Sequence, residues 1–159
     1  MNNNEELIYH FYTCFKNKDI EGMQNCYADH AVFSDTVFQN LDARQVRSMW
    51  KMLIGSAKDM HIEYNQVKAD ENSGSAQWTA TYTFSATGKK VVNHIQASFQ
   101  FESGKIIKHQ DEFNFHQWAK QALGFTGLLL GWTPFLKNKI RKKASGNLKS
   151  YMDIHQASN

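Results

Sequence analysis

Apolar residues recur along the first third of the chain at intervals of three and four, and beyond residue 60 they fall on every second position. Leu7, Ile8, Phe11, Tyr12 and Phe15 form the first stripe, which predicts a helix over 4–16 with one apolar face. Asp19 is placed to cap a short second helix, because its carboxylate can accept a hydrogen bond from a free first-turn amide. Ile20, Met23 and Tyr27 follow on one side of it. Residues 31–35 read as a short strand. Asp42 with Gln45 makes a capping-box pair, and Val46, Met49, Trp50 and Leu53 supply the stripe of a third helix, with Gly55 as its stop.

The strand-like stretch opens with Met60, Ile62 and Tyr64 on one parity and Val67 and Ala69 on the other, so a bulge near Asn65 or Gln66 is needed to keep the facing. Ala76, Trp78, Ala80, Tyr82 and Phe84 alternate with Gln77, Thr79, Thr81 and Thr83, giving a long strand with an inner and an outer face. After the Thr87-Gly88-Lys89 turn, Val91, Asn93, Ile95, Ala97, Phe99 and Phe101 share the inward parity, leaving His94, Gln96, Ser98 and Gln100 outside. Ser103-Gly104 turns into a last strand in which Ile107, His109, Asp111, Phe113 and Phe115 share one parity. Helices followed by a meander predict an α+β fold: a curved antiparallel sheet wrapped around N-terminal helices and enclosing a cone-shaped pocket. Past residue 116 the apolar run is broken by Gly124, Gly127 and Gly131. Pro134, after a capping Thr133, suits the first turn of a further helix. The reading is one domain over 1–159, with a core at about 5–115 and a C-terminal helical extension at 116–159.

That pattern holds one violation. His109 and Asp111 point where the phenylalanines point, and a buried imidazole and carboxylate are costly unless paired or set in a cavity. A strand end open to solvent is the alternative. Composition works by exclusion: 42% hydrophobic residues suffice for a core, and a net charge of +3 does not argue for nucleic acid. No basic flank with an apolar run marks a secretion signal, and no apolar stretch reaches the roughly 18 residues of a spanning helix, so a cytoplasmic location is expected. Cys14 and Cys26 lack metal-ligand spacing and are expected to be free, buried thiols. No nucleophile motif, phosphate loop or metal-ligand set is present, so neither cofactor nor metal is expected.

The segment from Asn17 through Asp19, Cys26, Tyr27 and Asp29 to Asp35 resembles the helix-helix-strand opening of the nuclear-transport-factor-2-like superfamily. This superfamily includes ketosteroid isomerases, scytalone dehydratase, limonene epoxide hydrolase and SnoaL-type polyketide cyclases. Phe99 to Asp111, with its Ser103-Gly104 turn, is similar to the closing hairpin of that superfamily. The resemblance implies a proton-shuttling role for Asp35, as in the isomerases, and an acid/base role for Asp111, as in the cyclases. It also places Phe11 and Ala97 at the positions of the isomerases' oxyanion donors, and neither side chain can donate a hydrogen bond. Steroid isomerisation by that mechanism would need Tyr12 or another group to substitute. The epoxide-hydrolase mechanism needs an arginine between two aspartates, and none has inward parity in these strands.

The candidate catalytic residues are therefore Asp111, Asp35 and His109, and the candidate ligand wall is Tyr12, Trp50, Trp78, Tyr82, Asn93, Phe99 and Phe113. Asp35 also fits the cap of the turn at Thr36-Val37, and the aromatic residues also fit a plain core. The expected partner is a small apolar or aromatic molecule that undergoes isomerisation, dehydration or aldol-type cyclisation. A noncatalytic binding or interaction module is the alternative. The polar outer face, with Thr79, Thr81, Thr83, Ser98 and Gln100, suits a homodimer as well as a solvated sheet. Residues 128–143, where leucines and Trp132 precede Lys137, Lys139, Arg141, Lys142 and Lys143, allow a membrane-surface contact. The reading preferred on sequence is that the Leu/Trp segment packs over the cavity mouth.

Overall fold

A computed structural model describes residues 1–156. Helix α1 (Asn3–Lys16) is capped by the Asn2 side chain and buries Ile8, Phe11, Tyr12, Cys14 and Phe15. Asp19 caps α2 (Ile20–Asn25) through the amide of Gly22. Strand β1 (Tyr27–Ser34) is longer than its alternation announces, and it takes in Tyr27, which the helical spacing had assigned to the α2 face. After the two-residue β2 (Leu41–Asp42), α3 (Ala43–Ser56) opens on the expected reciprocal capping box between Asp42 and Gln45. The helix runs through Gly55 to its C-cap at Ala57.

Strands β3 (His61–Ala69), β4 (Ser73–Phe84), β5 (Lys89–Glu102) and β6 (Lys105–Glu112) form the antiparallel meander. The β3 register breaks between Asn65 and Lys68, and Gln66 takes a φ of +51°, so the bulge restores the facing as the parity required. Ser103 and Gly104 both have positive φ (50° and 75°), matching a two-residue hairpin turn of the primed kind, whose twist suits the flanking strands.

Two features depart from simple alternation. The sheet order is β2-β1-β6-β5-β4-β3, and β1 joins β6 in parallel, so the sheet is antiparallel only along the meander and at β1–β2. A bulge also falls in the β5–β6 register, where Phe101 faces Ile106 and Gln100 faces Lys108. Ile106 is consequently the fully buried residue and Ile107 only half-buried, correcting the parity assigned to Ile107, whereas His109 and Asp111 do face inward.

The main core lies between the helices and the inner sheet face. A second cluster of Val91, Phe115, Trp118, Ala119, Ala122 and Leu136 covers the wide end of the sheet, and both clusters touch Val37, Tyr82 and Phe113. The extension comprises α4 (Phe115–Leu123), α5 (Phe125–Leu130) and α6 (Pro134–Gln156), of which α4 and α6 supply that cover. Thr133 Oγ1 accepts from the Leu136 amide at 3.4 Å at the start of α6. Residues 128–132 do not pack over a mouth: Leu128, Leu129 and Leu130 are exposed, as is Trp132. Cys14 and Cys26 are buried free thiols.

Candidate functional site

Inward facing on β6 puts His109 opposite Phe99 of β5 on one side and Phe33 of β1 on the other, and Asp111 opposite the small Ala97. Both ionisable residues are buried, at 1% and 3% exposure. Their cost is offset by a continuous hydrogen-bonded chain. Trp50 Nε1 donates to Tyr27 Oη at 2.9 Å, Tyr27 Oη meets His109 Nδ1 at 2.7 Å, and His109 Nε2 meets Asp111 Oδ1 at 2.9 Å. Trp78 Nε1 donates to the same carboxylate oxygen at 3.4 Å. The ring of His109 is stacked or edge-packed against Tyr27, Phe33, Trp50, Phe99 and Phe11, with the Phe99 centroid at 4.4 Å.

The chain has a direction. An indole can only donate, so Trp50 occupies an acceptor lone pair of Tyr27 and leaves the phenol proton free to go to His109 Nδ1. His109 Nε2 faces Asp111, whose Oδ1 is the meeting point of the imidazole and the Trp78 indole. Burial, above all, and then the charge of Asp111 push the phenols of Tyr12 and Tyr27 upward, with the Trp50 hydrogen bond acting in the opposite sense on Tyr27. Neither phenol ionises near neutrality. Tyr12 Oη is fully buried and has no hydrogen-bond partner.

Asp35 stands just beyond the end of β1, in a turn fastened to the end of β6 by Thr36, whose hydroxyl donates to the Phe113 carbonyl and accepts from the Phe113 amide, both at 3.3 Å. Oδ1 of Asp35 accepts from the amides of Val37 at 2.7 Å and Phe38 at 2.5 Å, so the residue does cap its turn. Burial raises its pKa to about 7 against those amides, the nearby negative charge of Asp111 adds to the rise, and Arg141 opposes it. Asp35 in turn pushes the Tyr82 phenol upward, behind the larger effect of burial. Tyr82 Oη accepts from Trp118 Nε1 at 2.9 Å.

The structure thus bonds His109 to Asp111 and sets Asp35 within reach of the charge of Asp111, on the same depression as His109. It divides the expected ligand wall: Tyr12, Trp50, Trp78 and Phe99 are core residues, whereas Tyr82, Asn93 and Phe113 remain part-exposed on the inner face toward the wide end. The Asn93 side chain makes no hydrogen bond among the described residues. Two depressions lie mainly on the outer side of the sheet. A groove of about 740 Å³ crosses β3–β6 over Gln77, Thr79, His94 and Gln96, and one of about 340 Å³ lies over Val32, Ser34, Lys108 and Gln110 and reaches Asp35 and His109.

Three residues escape the sequence patterns. Tyr27 was hidden by an apparent helical spacing, and its only signal was the Tyr-Ala-Asp-His start of a strand. Trp118 reads as a core residue of α4, although its indole is the partner of Tyr82. Arg141 reads as one of a run of cations, yet its Nε donates to the Thr36 carbonyl at 3.0 Å, so an arginine reaches the Asp35 turn from α6 rather than from a strand.

A family model described as a SnoaL-like domain matches residues 8–109. No curated protein matches the chain. Among solved structures, a Catenulispora acidiphila protein of ketosteroid-isomerase-like fold, in complex with trimethylamine, aligns with a TM-score of 0.65 at 10% identity, covering 81% of this chain and 98% of its own. An LEH-like epoxide hydrolase from M. tuberculosis aligns at 0.63 and 16% identity, covering 80% and 96%. IdmH from Streptomyces antibioticus, a proposed polyketide cyclase, aligns at 0.61 and 16%, covering 73% and 95%. At these identities the likeness is one of fold.

Proposed function

This chain belongs to the SnoaL-like family of the nuclear-transport-factor-2-like superfamily, and from that premise we propose that it catalyses cofactor-free proton transfer on a small apolar or aromatic carbonyl compound. The reaction class is isomerisation, dehydration or aldol-type cyclisation. The observation that carries this reading is the buried chain Trp50–Tyr27–His109–Asp111, which ends on a carboxyl group whose charge acts on a second carboxyl, Asp35.

Asp35, titrating near 7, is the group able to take a proton from carbon and return it. Oδ1 of Asp111 is bonded to the imidazole of His109 and to the Trp78 indole, and the negative charge of Asp111 raises the Asp35 pKa, which favours proton uptake by Asp35 when it acts as base. Tyr12 Oη, buried and unpartnered, is the available donor to an enolate oxygen, in place of the donors that Phe11 and Ala97 lack. Tyr82, Asn93 and Phe113 would meet the apolar body of the substrate.

Hydrogen–deuterium exchange at the carbon next to the carbonyl of β-tetralone in deuterated buffer tests this directly. Wild-type protein should accelerate the exchange, and Asp35→Asn should lower that acceleration about 100-fold or more. Binding of the ketone with exchange at the buffer rate would favour the noncatalytic module, to which the donor-free Phe11 and Ala97 already point.

A further inference from the structure

Between Glu112 and Asp153 the chain contains no acidic residue and seven basic ones. Within this stretch the usual burial of an amphipathic helix is inverted at α5. A Cβ on Gly127 would lie 1.8 Å from the Ala119 carbonyl oxygen, and one on Gly131 would lie 2.9 Å from the His116 ring and 3.1 Å from the Ala119 Cβ. The glycine side of α5 is therefore pressed backbone to backbone onto α4. The large residues are turned outward as a result: Phe125 is 74% exposed, Trp132 72% and Phe135 72%, with Leu128, Leu129 and Leu130 between them at 43–53%. Trp132 is held in this position by its indole N–H, which donates to the Leu129 carbonyl at 2.9 Å.

The exposed apolar patch is continuous with a basic stripe. On α6 the exposed residues Phe135, Lys139, Lys142 and Lys149 recur at four, three and seven positions and share one side, opposite Leu136, Ile140, Ala144 and Leu148, which face the protein. Lys89, the first residue of β5, lies against Gly124 at the start of α5. Aromatic and leucine side chains bordered by lysines on one face, with a single carboxylate, Asp153, at the far end of α6, match the chemistry of a bilayer surface whose phosphates are anionic and whose acyl boundary is apolar. No helix among the described residues is long and apolar enough to cross a membrane.

We infer that α5, the Trp132 loop and the exposed face of α6 form a docking surface for an anionic phospholipid bilayer, with Phe125, Leu129, Trp132 and Phe135 entering the interface and Lys139, Lys142 and Lys149 meeting the headgroups. This inference is independent of the catalytic proposal, since it uses none of the residues assigned there.

The test is cosedimentation of the full chain with vesicles of phosphatidylcholine alone or mixed with phosphatidylserine. Binding should favour the mixed vesicles and weaken with salt. Replacing Lys139, Lys142 and Lys149 together by Gln should weaken it on the order of 100-fold, whereas Trp132→Ser with Phe135→Ser should abolish it, with far-UV circular dichroism unchanged. Trp50, Trp78 and Trp118 are buried, so quenching of tryptophan emission by brominated lipid reports Trp132. Equal binding to both vesicles, or none, overturns the inference. So does a self-associated species in light scattering that Trp132→Ser disperses while vesicles fail to sediment the protein, because the patch would then be a contact between copies of this chain.

Discussion

Removing the hydroxyl of Tyr27 and removing that of Tyr12 are the same chemical edit made in opposite surroundings. Tyr27 Oη joins Trp50 to His109, so Tyr27→Phe leaves a buried indole N–H and a buried imidazole nitrogen unpaired and should cost about 2–4 kcal/mol in urea denaturation. Tyr12 Oη has no partner to lose, so Tyr12→Phe should change stability by no more than about 1 kcal/mol while lowering carbonyl-ligand affinity. Asp35 carries a pH dependence of determinate sign. Its folded pKa of about 7 lies above the unfolded value of 3.8. The folded state therefore keeps a proton that the unfolded state has released, and stability falls as pH rises through that window. Asp35→Asn retains an acceptor for Val37 and Phe38. It should be more stable than wild type at pH 8 by up to about 4 kcal/mol, and the difference should vanish near pH 4, as urea midpoints across that range would reveal. His109 and Asp111 were legible because a two-residue period makes any inward polar residue conspicuous. Tyr27 and Arg141 were not, since their roles depend on which element lies across from them and no periodicity encodes that.

At the level of elements, local rules carried a good deal. The Asp19 and Asp42 caps, the β3 bulge and the Pro134 helix start each arise from backbone chemistry within a few residues. Pairings between distant elements were hidden, including the parallel contact of β1 with β6 that sets Phe33 beside His109. The outward leucines of α5 were misleading for a related reason. An apolar run is ordinarily buried, and only the contact of Gly127 with Ala119 reveals that the small residue has taken the inner position. Gly127→Ala should therefore push α5 off α4, destabilising the extension by about 1–3 kcal/mol. Hydrogen exchange should show protection lost over α4 and α5 and kept in β4 and β5.

For the whole molecule, the extension is part of the structural core. Leu148 of α6 is buried in the main cluster, and Phe115 and Trp118 close the second over Val37, Tyr82 and Phe113. Urea unfolding followed by circular dichroism and by tryptophan emission should give coincident transitions, and a chain ending at Asn114 should bind an apolar dye or aggregate. The charge is nonetheless divided: residues 1–112 hold 11 basic and 14 acidic side chains, and residues 113–159 hold seven and one. A molecule of small net charge is in this way an electric dipole with its positive pole on the covering helices. In the field of any negative surface it experiences a torque before it experiences contact, so it arrives in one preferred orientation, with the covering helices leading and the Asp35 turn, fastened to the protein-facing side of α6 through Arg141, behind them.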